Sequence, residues 1–124
     1  MNAAAPQRTN TCIPIHAAFK RRAIDVWVEG TGRVRKLLTD DNIGSRHQRF
    51  ILEIKGGIFL RPFTLLVAHN IDLAKRIPLK EGDKVRFKGE YKWSAQGGTL
   101  HWTHHDPANW HDGGWIKRGL RRYA

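Results

Sequence analysis

Residues 84–93 read KVRFKGEYKW, and their alternation decides the fold class. Val85, Phe87, Tyr91 and Trp93 fall on one side of an extended chain, and Lys84, Arg86, Lys88, Glu90 and Lys92 fall on the other. A period of two belongs to a strand with one face in a core and one in water. Glu81-Gly82-Asp83 before it and Gly97-Gly98 after it are turn compositions. The chain beyond Gly98 therefore returns as another strand, Thr99 to His105.

A four-residue loop, Ala95–Gly98, puts Trp93 opposite Leu100, Tyr91 opposite Trp102 and Gly89 opposite His104. The same register sets Lys88 against His105, Glu90 against Thr103 and Lys92 against His101. A slip of one residue would place the lysine row beside Leu100 and Trp102, so the pattern rejects it.

Working back toward the N-terminus, Phe63–Asn70 is a more apolar strand. His47–Ile54 alternates with Phe50, Leu52 and Ile54 on one face. Ile24, Val26 and Val28 begin a long strand that runs past Gly30 and Gly32 to Val34. Glycines inside a strand often mark a bulge or sharp bend, which a long first strand of a barrel needs. Ile71–Ile77, stopped by Pro78, predicts a short helical connector between the third and fourth strands. Ile15–Arg22 predicts a short N-terminal helix with Ile15, Ala18 and Phe19 on one face.

Residues 1–14 form a flexible arm, and Trp115–Ala124 a basic tail carrying Lys117, Arg118, Arg121 and Arg122. Five strands with that connector predict an all-β protein, a small OB-fold-like Greek-key barrel in a single domain over residues 15–124. An SH3-like barrel or an open meander is the rival. The connector favours the first.

Charge points to the partner. Twenty-two Lys and Arg face 11 Asp and Glu, a net charge of +11. A field of that size attracts phosphate-rich partners. Cys12 is the one cysteine, which excludes an intrachain disulfide and a cysteine-based zinc site. No stretch approaches the roughly 20 apolar residues of a membrane span. The N-terminal residues do not read as a secretory signal, so the expected location is cytoplasmic.

The outward positions collect into a set expected to contact nucleic acid: Arg33, Arg35, Arg46, Arg49, Lys84, Arg86, Lys88 and Lys92, with Trp27 and Trp110 as stacking platforms. Long cationic side chains also cover small barrels that bind nothing, so the pattern counts for more than any single residue. Tyr91, Trp93 and Trp102 are expected in the core.

The run HWTHHDP, residues 101–107, is the most unusual stretch. On a strand, side chains four apart lie roughly 13 Å from one another, so His101 and His105 share a face without chelating one ion. His104 faces inward as a hydrogen-bonded core histidine. A metal site has to converge from His69, His105, Asp106 and His111. No cofactor is expected, and a divalent metal is the less favoured alternative. As an enzyme, the chain would use His47, His101, His105 and Asp106, with neutral imidazoles as general bases.

GTGRVRKLLTDDNIGSRHQRF (residues 30–50), LLVAHNIDLAKRIPLKEGD (65–83) and GEYKWSAQGGTLHWTHHDP (89–107) together resemble an uncharacterised bacterial family, a domain of unknown function. The resemblance spans about Val26 to Tyr123. It implies a barrel of the same type and no established activity. It also implies that Arg46, His47, His69, Asn70, Glu90, His101, His104, His105 and Asp106 are the family's polar motif residues. Added residues around Phe59–Pro62 and the high charge depart from the family pattern.

Three functions compete on this reading. They are a non-enzymatic module for single-stranded DNA or RNA, a metal- or histidine-dependent phosphodiesterase centred on HWTHHDP, and a basic inhibitor or adaptor for an acidic protein surface.

Overall fold

Alternating apolar side chains from every long strand meet in one core, where Val28, Val34, Phe50, Leu52, Leu65, Val67, Val85, Phe87, Tyr91 and Leu100 are all buried. The computed structural model describes residues 12–58, 60–110 and 113–124. Its elements are β1 (Ile13–Pro14), α1 (Ile15–Lys20), β2 (Ile24–Leu37), β3 (His47–Ile54) and β4 (Phe63–Asn70). They continue with β5 (Lys84–Lys92), β6 (Thr99–His101), β7 (Trp115–Arg118) and β8 (Arg121–Tyr123).

Five of these strands close a barrel in the order β2-β3-β4-β6-β5, and β5 pairs back onto β2. All pairs around the ring are antiparallel except β4 with β6. A parallel step between non-consecutive strands gives the Greek-key order of a small OB-like barrel. Closure through the short β6 covers only Glu90–Lys92 of β5, and Val85–Lys88 keep an edge that pairs with β7.

The long first strand bends away from its glycines. Register shifts fall between Ile24 and Val26, where Asp25 takes a φ of +57°, and between Val34 and Lys36. The first shift leaves Ile24 exposed, off the face predicted for it. Gly30 serves packing: a Cβ there would lie 2.6 Å from the Ile15 side chain and 2.7 Å from the Phe87 ring. That missing side chain lets α1 dock through Ile15 and Ala18, both fully buried.

The predicted helical connector is a single hydrogen-bonded turn. Ala74 N–H donates to the Asn70 carbonyl, and the Asn70 side chain accepts from Asp72 and Leu73 N–H. An asparagine that satisfies the first amides of a turn competes with helix growth, and Pro78 follows closely. Gln48, buried on β3, then holds the segment's end by both polar atoms. Its Nε2 donates to the Ile77 carbonyl at 2.8 Å and its Oε1 accepts from Ile77 N–H at 2.9 Å.

The last hairpin keeps its predicted faces and moves its register by two. Tyr91 pairs with Leu100, Glu90 with His101 and Lys92 with Thr99. Two residues expected in the strand belong to a longer loop. Trp93 N–H bonds to Ala23, Leu66 N–H takes the Gly98 carbonyl, and the Tyr91 hydroxyl takes the Gly97 carbonyl at 2.6 Å. Trp102, at φ +58°, leaves the ladder, so Trp102 to His105 are not a strand. Trp102 is half-buried rather than core, Trp93 is half-buried and packs against the core, and Tyr91 is buried as expected.

Residues 13–14 of the predicted arm, and the predicted tail, form strands. Ile13 and Pro14 pair in parallel with Val28 and Glu29. The basic tail is a hairpin: β7 pairs with β5 and β8 pairs with β7, seated by Ile116 and Tyr123 in the core. The first 11 residues of the predicted arm lie outside the described residues, as does Phe59.

Candidate functional site

The tail hairpin rebuilds the basic face. Residues paired across strands share a side of the sheet. Arg86 pairs with Thr31 on one edge and with Lys117 on the other, and Lys117 pairs in turn with Arg122. Thr31, Arg86, Lys117 and Arg122 thus form one outward row about 14 Å across four strands. A second row holds Glu29, Lys88 and Trp115; Arg33 and Lys84 pair in a third. Along the other arm of β5, Trp27, Glu90 and His101 align, followed by Lys92 and Thr99.

Trp115 stands inside this charge. Lys117 Nζ lies 4.6 Å from its ring centre, and the Arg86 and Arg122 guanidinium carbons each lie 5.9 Å from it. A concavity of about 290 Å³ opens beside it, lined by Cys12, Pro14, Glu29, Thr31, Arg86 and Trp115. Cys12 is pushed up to about 11, by burial first and then by its hydrogen bond and charge contact with Glu29, so it stays a thiol. A wider groove of about 680 Å³ shares Pro14, Glu29 and Thr31 and runs on to Arg33, Lys84, Lys55 and His16.

Of the predicted contact set, Arg33, Lys84, Arg86, Lys88, Lys92 and Trp27 share this face. Arg35 adjoins it through Glu53, which stands opposite Arg33, whereas Arg46 and Arg49 do not join it. Arg35 pairs with Glu53 at 3.7 Å, Arg46 with Asp72 at 2.8 Å, and Arg49 donates to the Thr39 carbonyl. Trp110 is exposed on the loop after Asp106 and belongs to no strand. Lys84, Arg86, Lys88, Lys92, Lys117 and Arg122 enter no ion pair among the described residues. The predicted contact set omits Trp115, Lys117 and Arg122, read from the sequence only as parts of a basic tail. Their signal was WIKR and RRY flanking Gly119-Leu120, a two-residue hairpin composition.

His47, His69 and His104 gather at the end of β4, with a centre different from the predicted one. His69 is fully buried. Its Nε2 lies 3.0 Å from the Lys75 carbonyl and its Nδ1 lies 2.8 Å from Thr103 Oγ1. A carbonyl only accepts, so Nε2 carries the proton and Nδ1 accepts the Thr103 hydroxyl. Burial pulls His69 down to about 4. His104 is buried, with Nδ1 bonded to the His105 carbonyl, and burial lowers its affinity for a proton too. His47, His105 and Asp106 lie within electrostatic reach of His104.

Asp106 accepts Ala108 and Trp110 N–H and so shapes the loop. His47 pairs with Asn70 across β3 and β4, and His105 is exposed. His101 sits 3.4 Å from Glu90, not beside Lys92 as the predicted register had it. Trp102 stacks on His104 at 5.1 Å and meets Trp27 edge-on at 6.3 Å. Of the predicted metal set, His69 has both nitrogens engaged and His111 lies outside the described residues. Among the described residues, no three His, Cys, Asp or Glu are grouped to hold an ion.

A family model described as a protein of unknown function (DUF3465) matches residues 3–124, nearly the whole chain. The chain belongs to that family. No curated protein matches it. In this DUF3465 domain the barrel carries two distinct polar regions, the histidine end and the cationic rows. No helix among the described residues is long and apolar enough to cross a membrane.

Proposed function

We propose that this DUF3465 domain binds single-stranded DNA or RNA along the outward face of β2, β5, β7 and β8. One observation carries the reading: Arg86, Lys117 and Arg122 stand directly across from one another on three neighbouring strands. Like charges in direct register destabilise a sheet, and no carboxylate is interposed among them. A polyanion laid across the row relieves that repulsion and releases counterions. Trp115 and Trp27 supply flat surfaces for bases, which is how sequence-tolerant single-strand binding is built.

A histidine-centred phosphodiesterase draws less from the arrangement. His69 is fully engaged, His104 has one nitrogen committed, and Asp106 holds its own loop. An acidic protein surface would answer the charge but gives no use to the aromatic rings.

Fluorescence anisotropy of a labelled 20-nucleotide single strand, titrated over a salt series, tests the proposal. Binding that weakens steeply with salt is expected. No association at low salt refutes it, and capture of a protein partner that survives nuclease treatment favours the adaptor. Strand cleavage, with or without divalent ions, favours the phosphodiesterase.

A further inference from the structure

The hairpin that completes the cationic row ends in an exposed apolar tip. Arg118 pairs with Arg121, leaving Gly119 and Leu120 as a two-residue loop. Gly119 takes a φ of +60°, as the first central position of a type II′ turn requires. The second position makes no demand for an apolar side chain, yet Leu120 occupies it and is fully exposed. Lys117, Arg118, Arg121 and Arg122 flank it in sequence.

The mount is firm. Ile116 and Tyr123 face each other across the hairpin and are both buried, and Arg118 Nε bonds to Asp83 at 3.0 Å. Exposed single leucines are ordinary on protein surfaces. This one differs in its surroundings. Ile43 and Ile58 are also exposed, but Ile43 follows Asp40 and Asp41 and Ile58 lies in no strand, whereas Leu120 caps the hairpin whose strands carry Lys117 and Arg122.

We infer that Leu120 is a wedge that packs against the terminal base pair where a single strand enters a duplex. This rests on the single-strand reading above and adds the substrate form, a single-strand/duplex junction. Apolar side chains on cationic elements enter base steps in this way, and an end pair at a fork is already unstacked on one side. Covering a leucine there is worth roughly tenfold in affinity.

The test compares three labelled probes, a single strand, a blunt duplex and a forked duplex, on the full chain and on Leu120→Ser and Leu120→Met. The expected result is a fork preference of roughly tenfold over the single strand. Leu120→Ser should abolish that preference with single-strand affinity unchanged, and Leu120→Met should keep it. An unchanged single-strand affinity with no fork preference, or a preference that survives Leu120→Ser, overturns the wedge alone. Absence of binding to all three probes overturns the single-strand reading with it. Leu120-dependent binding to anionic phospholipid vesicles, without a fork preference, reassigns the tip to a lipid surface.

Discussion

The Lys117 ammonium lies 4.6 Å from the centre of the Trp115 ring, and both residues project from β7, two positions apart. The contact joins the two ingredients of a single-strand surface at one point. The π face of the ring softens the repulsion within the row while leaving every cation unpaired by acid.

Replacing Trp115 by Ala should therefore weaken oligonucleotide binding by about 5- to 150-fold, the range for loss of one stacking ring. Trp115→Phe should retain most of the affinity. Anisotropy titration at fixed salt measures both, and an Ala variant that binds as tightly as wild type removes Trp115 from the interface.

Arg86→Ala and Arg122→Ala should each flatten the slope of log affinity against log salt by about 0.7. Arg46→Ala is the contrast, because Arg46 pairs with Asp72 in the segment after β4, off the rows. It should leave the slope unchanged. Thermal unfolding of the free protein adds a second reading. Removing one like charge from the row should hold or raise the midpoint, whereas a face built for stability would show a fall.

Gln48→Leu should cost about 1–3 kcal/mol in urea unfolding. Leucine fills the space but leaves the N–H of buried Ile77 without its partner, while the Ile77 carbonyl keeps the Leu79 N–H. A loss below about 1 kcal/mol would mean that the 71–77 segment rearranges to satisfy that N–H.

Stability should fall as the solution is acidified from pH 6.5 toward 4. His69 is held at about 4 in the fold against an ordinary 6.5, so between these values the unfolded chain binds a proton the fold does not. The stabilisation is complete above 6.5 and declines by about 3 kcal/mol on the way to 4. His104, lowered in the same direction, adds to the slope. Asp72 and Asp83 act at lower pH. The backbone amides of Arg46 and Lys80, with the Arg46 and Arg118 side chains, hold these carboxyls below their usual 3.8. Unfolding free energies across this range for wild type and His69→Gln should differ in slope. Equal slopes would exclude His69 as the source.

Strand positions were legible wherever alternation was clean. His47–Ile54 and Phe63–Asn70 match their predicted bounds, because a period of two with one buried face is stored in the local order of side chains. The connector is held to one turn because Asn70 caps it and Gln48 grips Ile77 from another strand, neither of which its own residues reveal. The register error has a similar cause: alternation distinguishes odd slips from even ones, but not zero from two. Of the site, the β2 and β5 members were readable and the β7 and β8 members were not.

The sequence by itself determined a barrel of alternating strands with its cations turned outward, since which side a residue takes follows from its parity along the chain. Only the tertiary structure decided which cations become neighbours. Lys117 and Arg122 join Arg86 because the tail folds back onto the free edge of β5. That choice is set by Ile116 and Tyr123 finding room in a core built from distant strands, a quantity that no local stretch of the chain contains.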